Sequence, residues 1–132
     1  NLESKSVLDL FSGSGAIGFE ALSRGAKSIV FVEKDIKTFQ MLIKNSKKFP
    51  KTNIKFYNMD AFSFLKLKNT FDFIYADPPY GKYNVNLLVE KILGHLNHRG
   101  VFILECQKKE NLNPTGKILN FGNSRLLIWE KF

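Results

Sequence analysis

The sequence predicts an α/β fold: a doubly wound, mostly parallel seven-stranded sheet with a C-terminal antiparallel hairpin. Three observations predict it. Five short runs of apolar, β-branched or aromatic residues alternate with stretches whose apolar residues recur at three and four positions, the mark of βαβ units with right-handed crossovers. The C-terminal stretch breaks that alternation, with two strand-like runs around Gly122-Asn123. A chain of 132 residues with 44% apolar and 14% aromatic content can bury one core, so residues 1–132 are expected to form a single domain.

Val7 to Phe11 is a short apolar run that ends in Ser12-Gly13-Ser14-Gly15, and Ala16 to Leu22 suits a helix: strand, glycine turn, helix. Gly25 terminates that helix, and Ser28 to Glu33 reads as a second strand ending on a carboxylate. Asp35 caps the next helix, whose apolar positions Phe39, Leu42 and Ile43 precede the stop at Pro50. Asn53 to Tyr57 forms the third strand, Asp60 precedes a short helix with Phe62 and Leu65, and Phe71 to Ala76 forms the fourth strand. Helical spacing from Val85 to Leu96 ends before an Arg99-Gly100 turn, and Val101 to Cys106 is the fifth strand. Lys117 to Phe121 and Ser124 to Phe132 make the hairpin.

Twenty Lys and Arg against twelve Asp and Glu leave a charge of +8, which suits a polyanionic partner and salt-dependent association. The Lys47-Lys48 and Lys108-Lys109 pairs read as solvated loop charges. Cys106 sits in an apolar run as a buried, inert thiol, consistent with a reducing, cytoplasmic setting. No stretch is long and apolar enough for a membrane helix, and no signal-peptide pattern appears. His95 and His98 lie near a predicted helix end without a ligand cluster; they read as surface or capping residues, and no metal is called for.

Asp9 to Gly15 places glycines where a strand turns sharply into a helix against a ligand, and a side chain at Gly13 or Gly15 would fill that space. Gly18 completes G-x-G-x-x-G, a pattern that alone does not separate one adenosine cofactor from another. Glu33, twenty residues beyond Gly13 and next to Lys34, can accept from both ribose hydroxyls. Two acids favour S-adenosylmethionine over a nicotinamide: Asp9 would oppose a pyrophosphate but hold a cationic amino group, and Asp60 could accept from an adenine amine with Ala61 and Phe62 beside the ring. Asp60 also suits a helix N-cap, and the two roles can coexist.

Asp77-Pro78-Pro79-Tyr80 leaves the fourth strand as a rigid, non-helical segment with carbonyls aimed outward. An exocyclic base amine is a poor nucleophile, so a site must accept its hydrogens as the nitrogen becomes tetrahedral; the Asp77 carboxylate and the Pro78 carbonyl suit that task. Tyr80 offers a face on which a base can stack. By itself D-P-P-Y is also an ordinary strand-terminating turn, and its weight comes from the glycine loop and Glu33 upstream.

Through Leu8 to Ala26 and Asp77-Pro78-Pro79-Tyr80 the sequence resembles the RsmD family of 16S rRNA guanine-N2 methyltransferases. The resemblance extends over nearly the whole chain, including the turn at Gly122-Asn123-Ser124. It implies a Rossmann-like methyltransferase fold, S-adenosylmethionine as methyl donor, and a guanine of 16S rRNA, naked or in a small-subunit assembly intermediate, as acceptor. Asp77, Pro78, Pro79 and Tyr80 then form the catalytic motif. The cofactor set is Asp9, Phe11, Gly13, Gly15, Glu33, Lys34, Asp60, Ala61 and Phe62, with Asp77 shared. Family members carry a basic N-terminal segment before the first strand, so a catalytic domain truncated at its N-terminus is expected, acting as a monomer without a membrane. The rivals are a DNA adenine-N6 methyltransferase, a nicotinamide-dependent oxidoreductase, in which D-P-P-Y and Asp9 would have no role, and a non-catalytic nucleic-acid-binding module.

Overall fold

A computed structural model describes residues 1–50, 53–107 and 117–132. The elements follow the order β1 (Ser6–Leu10), α1 (Ala16–Ser23), β2 (Ser28–Val32), α2 (Ile36–Asn45) with a 3-10 turn at Ser46–Lys48, β3 (Ile54–Tyr57), α3 (Ala61–Phe64), β4 (Phe71–Ala76), α4 (Val85–Leu93), β5 (Leu96–Gln107), β6 (Lys117–Phe121) and β7 (Ser124–Glu130). They build one seven-stranded sheet in the order β3-β2-β1-β4-β5-β7-β6. The pairs from β3 to β5 are parallel, and β7 runs antiparallel to both β5 and β6. This is the predicted doubly wound sheet with its closing hairpin. Of the two lysine pairs read as loop charges, Lys47-Lys48 lies in the exposed 3-10 turn, and Lys108-Lys109 falls outside the described residues.

Alternation along the central strands sorts their side chains onto two faces. Leu8, Leu10, Ile74, Phe102 and Leu104 pack with Phe64 of α3 and Leu88 and Ile92 of α4. Val7, Ile29 and Phe31 pack on the opposite face with Phe19 of α1 and Leu42 of α2. The helices therefore cover both faces and leave the carboxyl ends of the parallel strands open between them. Caps set where they start: Asp35 accepts from the Thr38 N–H at 2.9 Å and Asn84 from the Leu87 N–H at 3.1 Å. The Asp35 carboxyl is held below its usual range by the Thr38 hydroxyl and N–H.

At the amino ends of three central strands, Asp72 acts as a clamp. Its carboxylate accepts from the Ser6 N–H at 3.0 Å and the Ser6 hydroxyl at 3.2 Å, and from the Asn97 amide at 3.0 Å. The Asp72 N–H donates back to the Ser6 hydroxyl at 3.1 Å. These bonds, the main-chain Ser6 N–H first, hold the Asp72 carboxyl below its usual range.

Two sequence expectations change here. The helix predicted from Val85 to Leu96 ends at Leu93, and Leu96 opens β5, so the expected turn at Arg99-Gly100 is an irregularity inside a strand. Arg99 takes a left-handed φ of 62°, the strand's register against β4 shifts there, and the Arg99 N–H donates to the Lys131 carbonyl. His95, read as a surface or capping residue, is not at the surface, being 9% exposed. Its Nδ1 lies 2.7 Å from the Asn69 carbonyl oxygen and its Nε2 2.8 Å from that of Leu65, so the ring ties the stretch after α3 to the end of α4. Among the described residues no helix is long and apolar enough to cross a membrane.

Candidate active site

The strand order reverses at β1, which lies between β2 and β4, and the ligand crevice of such sheets lies outside the carboxyl ends at that point. A cavity of about 880 Å³ occupies it, lined from five strand ends and one strand start. Phe11 and Gly13 come from the loop after β1, Val32 to Ile36 from the end of β2, Met59 and Ala61 from beyond β3, and Asp77 to Tyr80 with Tyr83 from beyond β4. Glu105, Cys106 and Gln107 close it from β5, with Ser124 at the start of β7. The volume falls within the general range for small-molecule sites.

The loop after β1 is shaped by alternating left-handed residues: Phe11 at φ 79°, Gly13 at 55° and Gly15 at 89°. Ser12 fixes it, donating its hydroxyl to the Asp9 carbonyl at 2.6 Å and accepting the Val32 N–H at 3.0 Å. The two glycines then separate. A Cβ on Gly13 would meet nothing within 4 Å, and the residue lines the cavity. A Cβ on Gly15 would lie 2.4 Å from the Phe19 ring and 2.5 Å from Leu42, so this glycine makes room for the core and not, as the sequence suggested, for a ligand. Gly18 is likewise set against Phe31, with its Cβ position 2.2 Å from that ring.

These positions predict opposite phenotypes. Gly15→Ala combines left-handed strain with overpacking and is expected to cost roughly 3 kcal/mol of stability in urea denaturation. Gly13→Ala should cost about 1 kcal/mol, because only the backbone strain applies. It should nonetheless weaken ligand binding measured by calorimetry, since the new methyl enters the cavity.

Asp9 lies beneath the loop at 1% exposure, outside the cavity lining, and accepts the Gly18 N–H at 3.1 Å. Gly18 is the third residue of α1, and the N-cap Gly15 has no side chain to give, so Asp9 reaches across from β1 to satisfy one of the helix's unpaired amides. Burial pushes its carboxyl up from 3.8 to about 7 against the pull of that bond, with Glu33 and Asp77 adding negative charge nearby. Between those two values the folded protein keeps a proton that the unfolded chain has released. The stability from this group is therefore complete below about pH 4 and is lost as pH rises through 7. Asp9→Asn keeps an acceptor for Gly18 and removes the titration. Urea denaturation should show the variant gaining on the wild type from pH 5 to pH 8, by on the order of 2 to 4 kcal/mol.

Glu33 is half-buried with both oxygens engaged, Oε1 accepting from the Gly13 N–H and Oε2 from the Asp35 N–H, each at 2.9 Å. Each oxygen keeps a further lone pair for a ligand hydroxyl. Asp60 fills the N-cap role the sequence allowed, accepting from the Phe62 N–H at 2.9 Å. Its other oxygen accepts the Tyr83 hydroxyl at 2.7 Å, and burial with that bond pushes the Tyr83 hydroxyl up to about 12. The Lys34 ammonium lies 4.0 Å from the same oxygen. Tyr83 also stacks on Phe62 at 5.9 Å and meets Phe11 edge-on at 5.0 Å, joining the segment after β4 to the predicted adenine side and to the loop after β1.

Asp77 is exposed to the cavity, Pro78 is buried, and Pro79 and Tyr80 are exposed, Tyr80 at 49%. The Pro79 carbonyl accepts the Lys82 N–H at 3.2 Å, which turns the segment back towards α4. Of the predicted residues, Phe11, Gly13, Glu33, Lys34, Ala61 and Asp77 to Tyr80 share the cavity, whereas Asp9, Gly15, Asp60 and Phe62 stand behind its walls. Tyr83 and Glu105 had drawn no attention in the sequence. Their positions after D-P-P-Y and at the end of the fifth strand were the available signal, because strand ends are where such sheets bind.

The sheet order, the closing hairpin and a cavity at the reversal are those of the Rossmann-like S-adenosylmethionine-dependent methyltransferase fold. A structure from Streptococcus pyogenes described as a conserved hypothetical protein matches with a TM-score of 0.89 at 26% identity, over 98% of this chain and 88% of that one. The Thermus thermophilus 16S rRNA N2 methyltransferase RsmC, solved with AdoMet and guanosine, shares the fold with a TM-score of 0.85 at 24% identity, over 99% of this chain and 38% of that one. The family model described as conserved hypothetical protein 95 matches residues 1–125, and the chain belongs to that family, the RsmD family. Ribosomal RNA small subunit methyltransferase D of Escherichia coli K12 is 36% identical over 113 residues, covering 82% of this chain and 56% of the relative. The Haemophilus influenzae protein of the same name is 37% identical over 114 residues, covering 80% and 58%. The chain thus spans little more than half the length of these curated relatives.

Proposed function

We propose that this chain carries the catalytic domain of an rRNA methyltransferase that transfers a methyl group from S-adenosylmethionine to the exocyclic N2 amine of a guanine in small-subunit rRNA. The observation that carries the proposal is the convergence of Asp77 to Tyr80 on the same cavity as Gly13 and Glu33. Chemistry and donor binding then meet in one space. The residues fit this donor: Gly13 leaves room against the main chain, Glu33 offers acceptors for two ribose hydroxyls, and Asp60 with Ala61 and Phe62 stands at the adenine side. The acids Glu33, Asp77 and Glu105 line the cavity, which favours a cationic ligand over a pyrophosphate. S-adenosylmethionine, when bound, supplies an electrophilic methyl group on a sulfonium.

The chain's own contribution is position and acceptors. Tyr80 provides a stacking face for a base, and Asp77 with the Pro78 carbonyl accepts the amine hydrogens, freeing the nitrogen lone pair for attack. Bound there, S-adenosylmethionine would supply the methyl group and leave as its neutral thioether, and the proton displaced from the nitrogen would pass to the Asp77 carboxylate that holds it. The net charge of +8 suits an RNA partner, and the relatives' names support ribosomal RNA. Two measurements test the proposal. Calorimetric titration should show binding of S-adenosylmethionine and none of a nicotinamide dinucleotide. Mass mapping of rRNA nucleosides from cells with and without the gene should show loss of one N2-methylguanine; an unchanged pattern would remove the substrate.

A further inference from the structure

The sheet brings a second carboxylate to the acceptor side of the cavity. Ala76, the last residue of β4, pairs with Leu104 of β5, so Asp77 leaves its strand one step beyond that pair, as Glu105 does along β5. Such strands lie about 4.8 Å apart. Glu105 is half-buried and lines the cavity with Asp77. One of its oxygens is held by the Tyr75 hydroxyl at 2.5 Å, from the strand that delivers Asp77. Burial and this bond drive the Tyr75 hydroxyl far above its ordinary range, which keeps it a donor. A carboxylate offers about four acceptor positions, and the Tyr75 hydroxyl takes one.

The proposed acceptor presents a matching edge. Guanine carries its ring N1–H directly beside the N2 amine, so a base whose N2 hydrogens meet Asp77 and the Pro78 carbonyl turns N1–H to a neighbouring acceptor. We infer that Glu105 is a specificity-determining residue that accepts the guanine N1–H, with Tyr75 as the positioning residue that holds its carboxylate in place. This inference rests on the guanine-N2 reading above. It explains what a second acid does beside an acid already sufficient for the amine. An adenine or 2-aminopurine presents an unprotonated N1 there, and two acceptors would face each other without a hydrogen.

The test uses the full chain and a synthetic small-subunit rRNA fragment bearing the guanine it methylates, beside the same fragment with 2-aminopurine at that position. 2-Aminopurine keeps the N2 amine and lacks the N1 hydrogen. The wild type should lose on the order of tenfold to a hundredfold in kcat/KM on the 2-aminopurine fragment, the range for a hydrogen bond to a charged group. Glu105→Gln can turn an amide donor to an unprotonated N1, so the preference for guanine should shrink at least about tenfold. Tyr75→Phe should shrink it by a smaller factor while binding S-adenosylmethionine as the wild type does. Reaction of both fragments within threefold by the wild type, which needs no variant to fold, overturns the inference. So does a Glu105→Gln enzyme that is slower on both fragments by the same factor. Absence of any guanine methylation by the wild type would instead sink the function proposed above.

Discussion

Asp77→Ala is expected to lower kcat for methyl transfer by on the order of a hundredfold to a thousandfold, with a much smaller loss of S-adenosylmethionine affinity, about tenfold or less. The asymmetry follows from where the residue stands. Asp77 is exposed to the cavity at the head of the proposed acceptor segment, while the loop after β1 and Glu33 line the side proposed for the donor. Removing one preorganised acceptor for developing charge takes away transition-state stabilisation, whereas donor binding loses only one of several acids around the cavity. Single-turnover kinetics together with calorimetry separate the two quantities. A variant that transfers methyl groups at the wild-type rate while folding normally would mean that the amine is held elsewhere.

Glu33→Ala should do the reverse, weakening S-adenosylmethionine binding by on the order of a hundredfold and lowering kcat far less at saturating donor. Two charge-assisted bonds to ribose hydroxyls account for that size. The same change releases the N–H groups of Gly13 and Asp35, which now meet on this carboxylate, so the glycine loop should lose order with it. Glu33→Gln offers a control. Its amide oxygen can still accept one of those bonds, and affinity should fall between those of the wild type and the alanine variant.

Much of this arrangement was legible in the sequence because strand ends and turns carry local chemistry. Phe71 to Ala76 was read with the boundaries found, since a β-branched and aromatic run meets two prolines that no strand continues through. Asp35 and Asp60 were readable as caps because each precedes an apolar helical stretch. What escaped was long-range. The apolar spacing through Leu93 and Leu96 looks helical until the pairing of Leu96 with Phe71 across the sheet is known. The burial of His95, read as a surface or capping residue, depends on partners far along the chain, the Leu65 and Asn69 carbonyls, about thirty and twenty-six residues away. Gly15 was assigned to a ligand on a motif whose glycines serve two purposes, and only the positions of Phe19 and Leu42 tell them apart. Tyr83 and Glu105 belong to no motif, and only their positions near strand ends hint at the cavity to which strand order brings them.

The Asp72 clamp gives the molecule a gradient of rigidity. It pins β1, β4 and β5 at the ends remote from the cavity, so the three strands that deliver Gly13, Asp77 and Glu105 share one fixed footing. Whatever motion the entry and exit of a ligand require can then be confined to the opposite rim, above stems that stay still. Amide hydrogens at Ser6 and Asp72 should accordingly exchange with solvent only when the whole domain unfolds, and those of the cavity loops long before.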